Sequence, residues 1–134
     1  MKHIKLFENF YQDDIDDIFN IMKLHKIGDI ISNETLYNYV DAMHNFEMDN
    51  EFIKDYILKY PKFKLVELDM KDLDLDSTGK SLVDEYIDMY KETNWYPPII
   101  YDVEDDMIID GYHRATALDK LGINKILAWG GVES

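Results

Sequence analysis

The sequence predicts an α/β (α+β) fold: a small mixed sheet with flanking helices, preceded by a helical N-terminal extension. Three observations predict it. Up to Tyr60, apolar residues recur every three or four positions, the period of an amphipathic helix. Pro61 then breaks the pattern, because the residue before a proline is steered away from helical backbone. Beyond it, short runs rich in Ile, Val and Tyr alternate with turn residues and helical stripes. With 46% apolar residues in 134, the chain can bury a core. The organisation read from these changes is a helical region over 1–61 and a compact α/β domain over 62–134.

The elements follow in order. Met1–Phe10 is an apolar-basic lead, read as a strand or arm. Ile15, Ile18, Phe19 and Met22 share one helical face, with Asp13 and Asp14 at the end where acids suit the helix dipole. Gly28 is expected to end that helix. Ser32 or Asn33 caps a second one, with Leu36, Tyr37, Val40 and Met43 inward. A third begins near Asp49 or Asn50 and carries Phe52, Ile53, Tyr56, Ile57 and Tyr60. Phe63–Met70 reads as a strand, followed by an acidic loop, Asp72 to Gly79, and a helix over Ser81–Glu92. Ile99–Val103 and Met107–Ile109 form a hairpin around Glu104-Asp105-Asp106. A helix from His113 to Leu121 stops at Gly122, Ile126–Trp129 is a last strand, and Gly130-Gly131 is a loose tail.

Composition excludes several functions. There is no cysteine, hence no disulfide, thiolate metal site, cysteine nucleophile or thiol redox chemistry. No apolar run approaches the roughly 20 residues that span a bilayer, and no signal-peptide core follows the N-terminus, so a cytoplasmic protein without membrane association is expected. The net charge is −14, with six Lys against twelve acids in residues 1–60 and eight basic against sixteen acidic residues in 61–134. DNA binding relies on cations that displace counterions from phosphates, so direct DNA binding is not expected. Docking on a basic partner, or imitation of DNA, is compatible with this charge.

Every other basic residue is Lys; the single arginine is Arg114. It stands in Met107-Ile-Ile-Asp-Gly-Tyr-His-Arg-Ala-Thr-Ala-Leu, read as strand, one-glycine turn and helix start. Such a turn offers backbone N–H groups and the positive end of a helix dipole to an anion. Arginine adds a planar fork that matches phosphate. Asp110 at the strand end can orient His113, hold a ligand hydroxyl or join a metal. Two look-alikes fail. Gly79-Lys80-Ser81 lacks the first glycine of a P-loop, since Asp74 stands there. Asp72-x-Asp74-x-Asp76 lacks a calcium loop's glycine and closing Glu, having Ser77 and Val83 instead. His3, His25 and His44 have no ligand-like spacing, and no metal is assigned to them. Trp95-Tyr96, beside the proline pair, reads as core cover before base stacking.

From about Lys64 to Trp129 the chain resembles the ParB/sulfiredoxin-like superfamily. The resemblance rests on Leu65-Val-Glu-Leu-Asp69, the helix after it, Pro97-Pro98-Ile99-Ile100, Asp110-Gly-Tyr-His-Arg114, Leu121-Gly122 and the closing strand. Sulfiredoxins carry their catalytic cysteine where Tyr112 stands, which removes sulfinic acid reduction. Chromosome-partitioning members have Glu-Arg-Arg for Tyr112-His113-Arg114 and another arginine at Thr116. They continue into a DNA-binding helix-turn-helix region, for which no residues follow Ser134, so CTP-gated DNA clamping is not expected. Free-serine-kinase-like members have Asp-Gly-His-His-Arg, which Asp110, Gly111, His113 and Arg114 match, and a loop carboxylate for which Asp74 and Asp76 are the counterparts.

The resemblance implies a nucleotide-phosphate-binding protein, as a phosphotransferase or nucleotide hydrolase, with a nucleoside di- or triphosphate and Mg²⁺ as cofactors. The phosphate-binding set is Asp110, Gly111, Tyr112, His113, Arg114 and Thr116. Asp76 as general base and His113 are the catalytic residues. The alternative is a non-catalytic acidic or DNA-mimic accessory protein of phage or mobile-element type, bound to a basic host partner.

Overall fold

A computed structural model describes residues 17–43, 50–73, 75 and 80–132. The Met1–Phe10 lead, Asp13 and Asp14, His3, His44, Asp74, Asp76 and the remainder of the acidic loop through Gly79 lie outside them. The described part of a first helix (α1) covers 17–22. Then follow β1 (Ile30–Ser32), α2 (Asn33–Met43), α3 (Glu51–Lys59), β2 (Lys62–Asp69), a 3₁₀ turn (Met70–Asp72) and α4 (Lys80–Thr93). The chain closes with β3 (Ile99–Asp102), β4 (Met107–Asp110), α5 (Tyr112–Lys120) and β5 (Lys125–Val132).

The five strands form one mixed sheet in the order β1-β2-β5-β3-β4. β1–β2, β2–β5 and β3–β4 are antiparallel, while β3 and β5 run parallel. Alternation along each strand sends side chains to two separate cores, as a period of two requires. Phe63, Leu65, Ile100 and Trp129 face a core completed by Leu36 and Val40 of α2 and by Ile53 and Ile57 of α3. Ile99, Tyr101, Ile126 and Ala128 face the other, which Ala115 and Leu118 of α5 and Tyr86 and Tyr90 of α4 cover. The fold is therefore α+β, helices on both faces of a mixed sheet. Chain on the two sides of Pro61 shares this sheet and the first core: residues 17–60 cover one sheet face and add an edge strand.

Local chemistry sets the element ends. Asn50 caps α3, its Oδ1 accepting from Ile53 N–H at 3.2 Å, the usual device for an unpaired first-turn amide. At the end of α5, Ile123 N–H donates to Leu118 O and Gly122 N–H to Asp119 O, both at 3.0 Å, closing the helix with a Schellman motif. Asp102, 5% exposed, accepts from Glu104 N–H at 3.0 Å and Asp105 N–H at 3.3 Å and so builds the β3–β4 turn. Beside it Tyr101 donates its hydroxyl to Asp106 at 2.5 Å. Burial first, then the Asp106 carboxylate, pushes that phenol up to about 12.

Four expectations are corrected. The first helix ends at Met22, not Gly28. Its last turn tightens through Leu24 N–H to Ile21 O and His25 N–H to Met22 O. The chain then turns so that His25 meets the Tyr39 hydroxyl at 2.8 Å and the edge of Trp129. Second, Ile30–Ser32 forms an unforeseen strand, only three residues long at the sheet edge. Third, Gly130 and Gly131 belong to β5, paired with Lys64 and Phe63. A Cβ on Gly131 would lie 2.5 Å from the Tyr60 ring, so Gly131 marks close packing inside a strand, and the pair is not a loose end. Fourth, Phe52 points outward, 55% exposed, leaving Ile53, Tyr56 and Ile57 as the inner face of α3. Among the described residues, no helix is long and apolar enough to cross a membrane.

Candidate functional site

β4 leads into α5 through Gly111, and the surrounding elements make that junction the candidate site. A register shift between Ile100 and Tyr101 makes Ile109 an extra residue on β4, immediately before Asp110. Such bulges bend a strand and re-aim the residues beside them. Gly111 occupies the N-cap position of α5 at φ +101°, with no side-chain cap. A Cβ there would lie 2.6 Å from Ile99 Cγ2 and 2.7 Å from Arg114 Nη2, so both the backbone angle and the space demand glycine.

The first helical bond of α5 runs from Ala115 N–H to Gly111 O at 2.9 Å. The amides of the turn before it have no intrahelical acceptor. α2 and α3 each place a carboxylate, Glu34 and Glu51, in their own first turn; α5 has none. No acidic side chain of the first turn of α5 therefore faces its positive end.

Arg114 lies in that first turn and is 7% exposed. Its Nη2 donates to Pro98 O at 3.2 Å and lies 3.9 Å from Asp110 Oδ2. The second distance is too long for a direct hydrogen bond. Its Nε is buried and meets no acceptor. A guanidinium carries five N–H donors, and buried ones are nearly always satisfied. Arg114 is therefore fixed by Pro98 and Asp110 with hydrogen-bonding capacity unspent.

Two cavities adjoin at this point, sharing Met43, Tyr86 and Arg114 in their walls. One, of about 410 Å³, is lined by Asp110, Gly111, Tyr112, His113 and Arg114, opposite Asn50 and Ile53 of the helical region. The other, of about 460 Å³, lies between Phe19 of α1, Glu85 and Asp88 of α4, and Tyr96-Pro97. Tyr96 is 8% exposed, its ring held by the edges of Tyr86 and Tyr90. Burial pushes that phenol up to about 12. Trp95 instead packs against Phe19 and under the Lys23 ammonium.

Of the predicted phosphate-binding residues, Asp110, Gly111, Tyr112, His113 and Arg114 converge on the 410 Å³ cavity. Thr116 lines neither cavity: it is 4% exposed and donates its hydroxyl to Tyr112 O at 3.0 Å. Two residues after Arg114 it has turned about 200° around the helix, to the opposite side. Asp76 lies outside the described residues. Phe19, Met43, Asn50 and Tyr86 were not predicted to belong to a site. In the sequence they are ordinary members of apolar stripes or a helix cap, and only the folding of α1–α3 over the sheet brings three of them here. Among the described residues, no group of three or more His, Asp or Glu could hold a metal.

No protein-family model matches the sequence. No curated protein matches it significantly. Among solved structures, a Pnob8-like ParB-N domain is similar over 54% of this chain and 30% of that chain, with 23% sequence identity and a TM-score of 0.37. That likeness concerns the backbone alone, and this chain spans less than a third of that protein's length.

Proposed function

We propose that the chain is a ParB/sulfiredoxin-like protein that binds the phosphates of a nucleoside di- or triphosphate over the N-terminus of α5. The observation that carries this reading is Arg114: the chain's only arginine, nine-tenths buried, with an unpartnered Nε, at a helix start with no side-chain cap and no acid in its first turn. Buried guanidinium and helix amides together are a phosphate's natural partners. Gly111 admits the ligand to the backbone, and Asp110 holds the guanidinium in place. Magnesium in such sites is usually held by one or two carboxylates together with substrate phosphates, a role that Asp110 suits.

Phosphoryl transfer or hydrolysis is the activity the arrangement fits, since it depends chiefly on positioning and charge neutralisation. Arg114 and the α5 amides neutralise charge, and His113 on the cavity wall is placed to exchange a proton. Asp76 holds the general-base role by resemblance alone. A second reading draws on the charge of −14 and on exposed acids in two places, Glu104-Asp105-Asp106 at the hairpin tip and Asp84, Asp88 and Glu92 on α4. It makes the chain a docking protein for a basic partner.

Isothermal titration of the full chain with nucleoside di- and triphosphates in Mg²⁺ separates the two. Micromolar dissociation constants are expected. Binding no tighter than millimolar for every nucleotide would overturn the phosphate reading and leave the acidic surface as the better guide.

A further inference from the structure

Lys62 and Lys64 are exposed on β2, a strand with neighbours on both sides. Strand alternation and the β2–β5 register put them on the sheet face of Val66, Ala128 and Ile126, which belong to the core under α4 and α5. Beyond that core the same face continues in two rows across β1, β2 and β5: Ile30-Lys64-Gly130, then Ser32-Lys62-Val132. Val103 follows β3 and stands over this face, because its Cγ2 lies 3.4 Å from where a Cβ of Gly130 would be. Ile30 is 54% exposed and Val103 61%. One end of the sheet face is thus covered by helices, while the other presents apolar side chains and two lysines to water.

Charge divides the uncovered end. The lysines lie on the β2 side of β5, and the hairpin tip Glu104-Asp105 lies on the β3 side, with all four side chains exposed. Among the described residues, none of the four belongs to an ion pair. The tip is held in shape from within, since the Asp102 carboxylate accepts the amides of both its acids. A two-fold axis along β5 and over Val132 exchanges the two sides. It sets the lysines of one copy against the tip acids of another, and the reverse pairing follows by symmetry. A surface that answers itself in this way is the condition for an isologous dimer.

We propose that this face docks a second copy of the chain, Lys62 and Lys64 of each copy meeting Glu104 and Asp105 of the other. Val132 lies on the axis, and the aliphatic stems of the lysines cover Val103, as long cationic side chains readily do. Two copies of net charge −14 repel at long range, so the local pairs fix the register and the dimer is transient. None of these residues lines the cavities beside Arg114, so self-docking and phosphate binding are independent.

Sedimentation equilibrium of the full chain, from micromolar to millimolar concentration, should give an average mass rising toward that of two chains. K62E/K64E and E104K/D105K should each stay monomeric over that range and keep the wild-type urea midpoint, because only exposed side chains change. E104K/D105K carries less net negative charge than the wild type, so its loss of association cannot come from general repulsion. An equimolar mixture of the two variants should associate again, since every opposed pair then joins a cation to an acid. Val103→Asp should weaken association at least tenfold. A wild type that stays monomeric at millimolar concentration would overturn self-docking. So would a dimer that survives in both charge-swapped variants, or a mixture of them that fails to associate.

Discussion

Replacing Arg114 with alanine is expected to abolish measurable nucleotide binding and to cost about 3–5 kcal/mol of folding stability, the usual penalty for removing one partner of a buried charge pair. The side chain bridges Pro98 O and the Asp110 carboxylate and is almost wholly enclosed. Its removal leaves Asp110 facing a cavity without its cation. Arg114→Lys keeps the charge but loses the planar fork, so it should keep more stability and still bind at least tenfold more weakly. To separate ligand from fold, Arg114→Met is combined with Asp110→Asn, which removes both charges. That pair should recover much of the stability lost in Arg114→Ala, measured by urea denaturation, and recover none of the binding. A double variant that binds normally would remove Arg114 from the site.

Gly111→Ala should be as damaging, for two separable reasons. The residue has φ +101°, where an L side chain costs about 1–3 kcal/mol. The added Cβ would also lie 2.6 Å from Ile99 and 2.7 Å from Arg114, and overpacking of that kind costs about 1–3 kcal/mol more. Gly28 supplies the control: its φ is +100°, yet a Cβ there meets nothing within 4 Å. Gly28→Ala should show the backbone cost alone, and the difference in denaturation midpoint between the two variants isolates the clash. Equal losses would mean that the close approach of Ile99 and Arg114 to Gly111 is relieved at no cost.

Those two residues were legible in the sequence because strand, glycine, arginine and helix are contiguous there, so local rules suffice. The same holds for most elements. β2, α3 and α5 fall within two residues of expectation, since each has a cap, a proline or a Schellman glycine to mark an end. Illegible features depended on distant chain. Ile30–Ser32 is a strand only because Lys62–Lys64 lies beside it, and Gly130-Gly131 is a strand because Lys64 and Phe63 pair with it. Likewise, Phe19 and Met43 look like any core residue until α1 and α2 close over the Asp110–Arg114 turn. Thr116 shows the converse, a residue near the motif in sequence that helical rotation carries to the other side of α5.

Anions are expected to bind at the start of α5, and the most direct measurement locates them. Full-length chain labelled with ¹⁵N is titrated with pyrophosphate and followed by amide chemical shifts. The largest changes should fall on the amides of Tyr112, His113 and Arg114, together with the Arg114 Nε–H signal, and should vanish in Arg114→Met/Asp110→Asn. Shifts confined to surface lysines, with the 111–114 amides unmoved, would contradict the account.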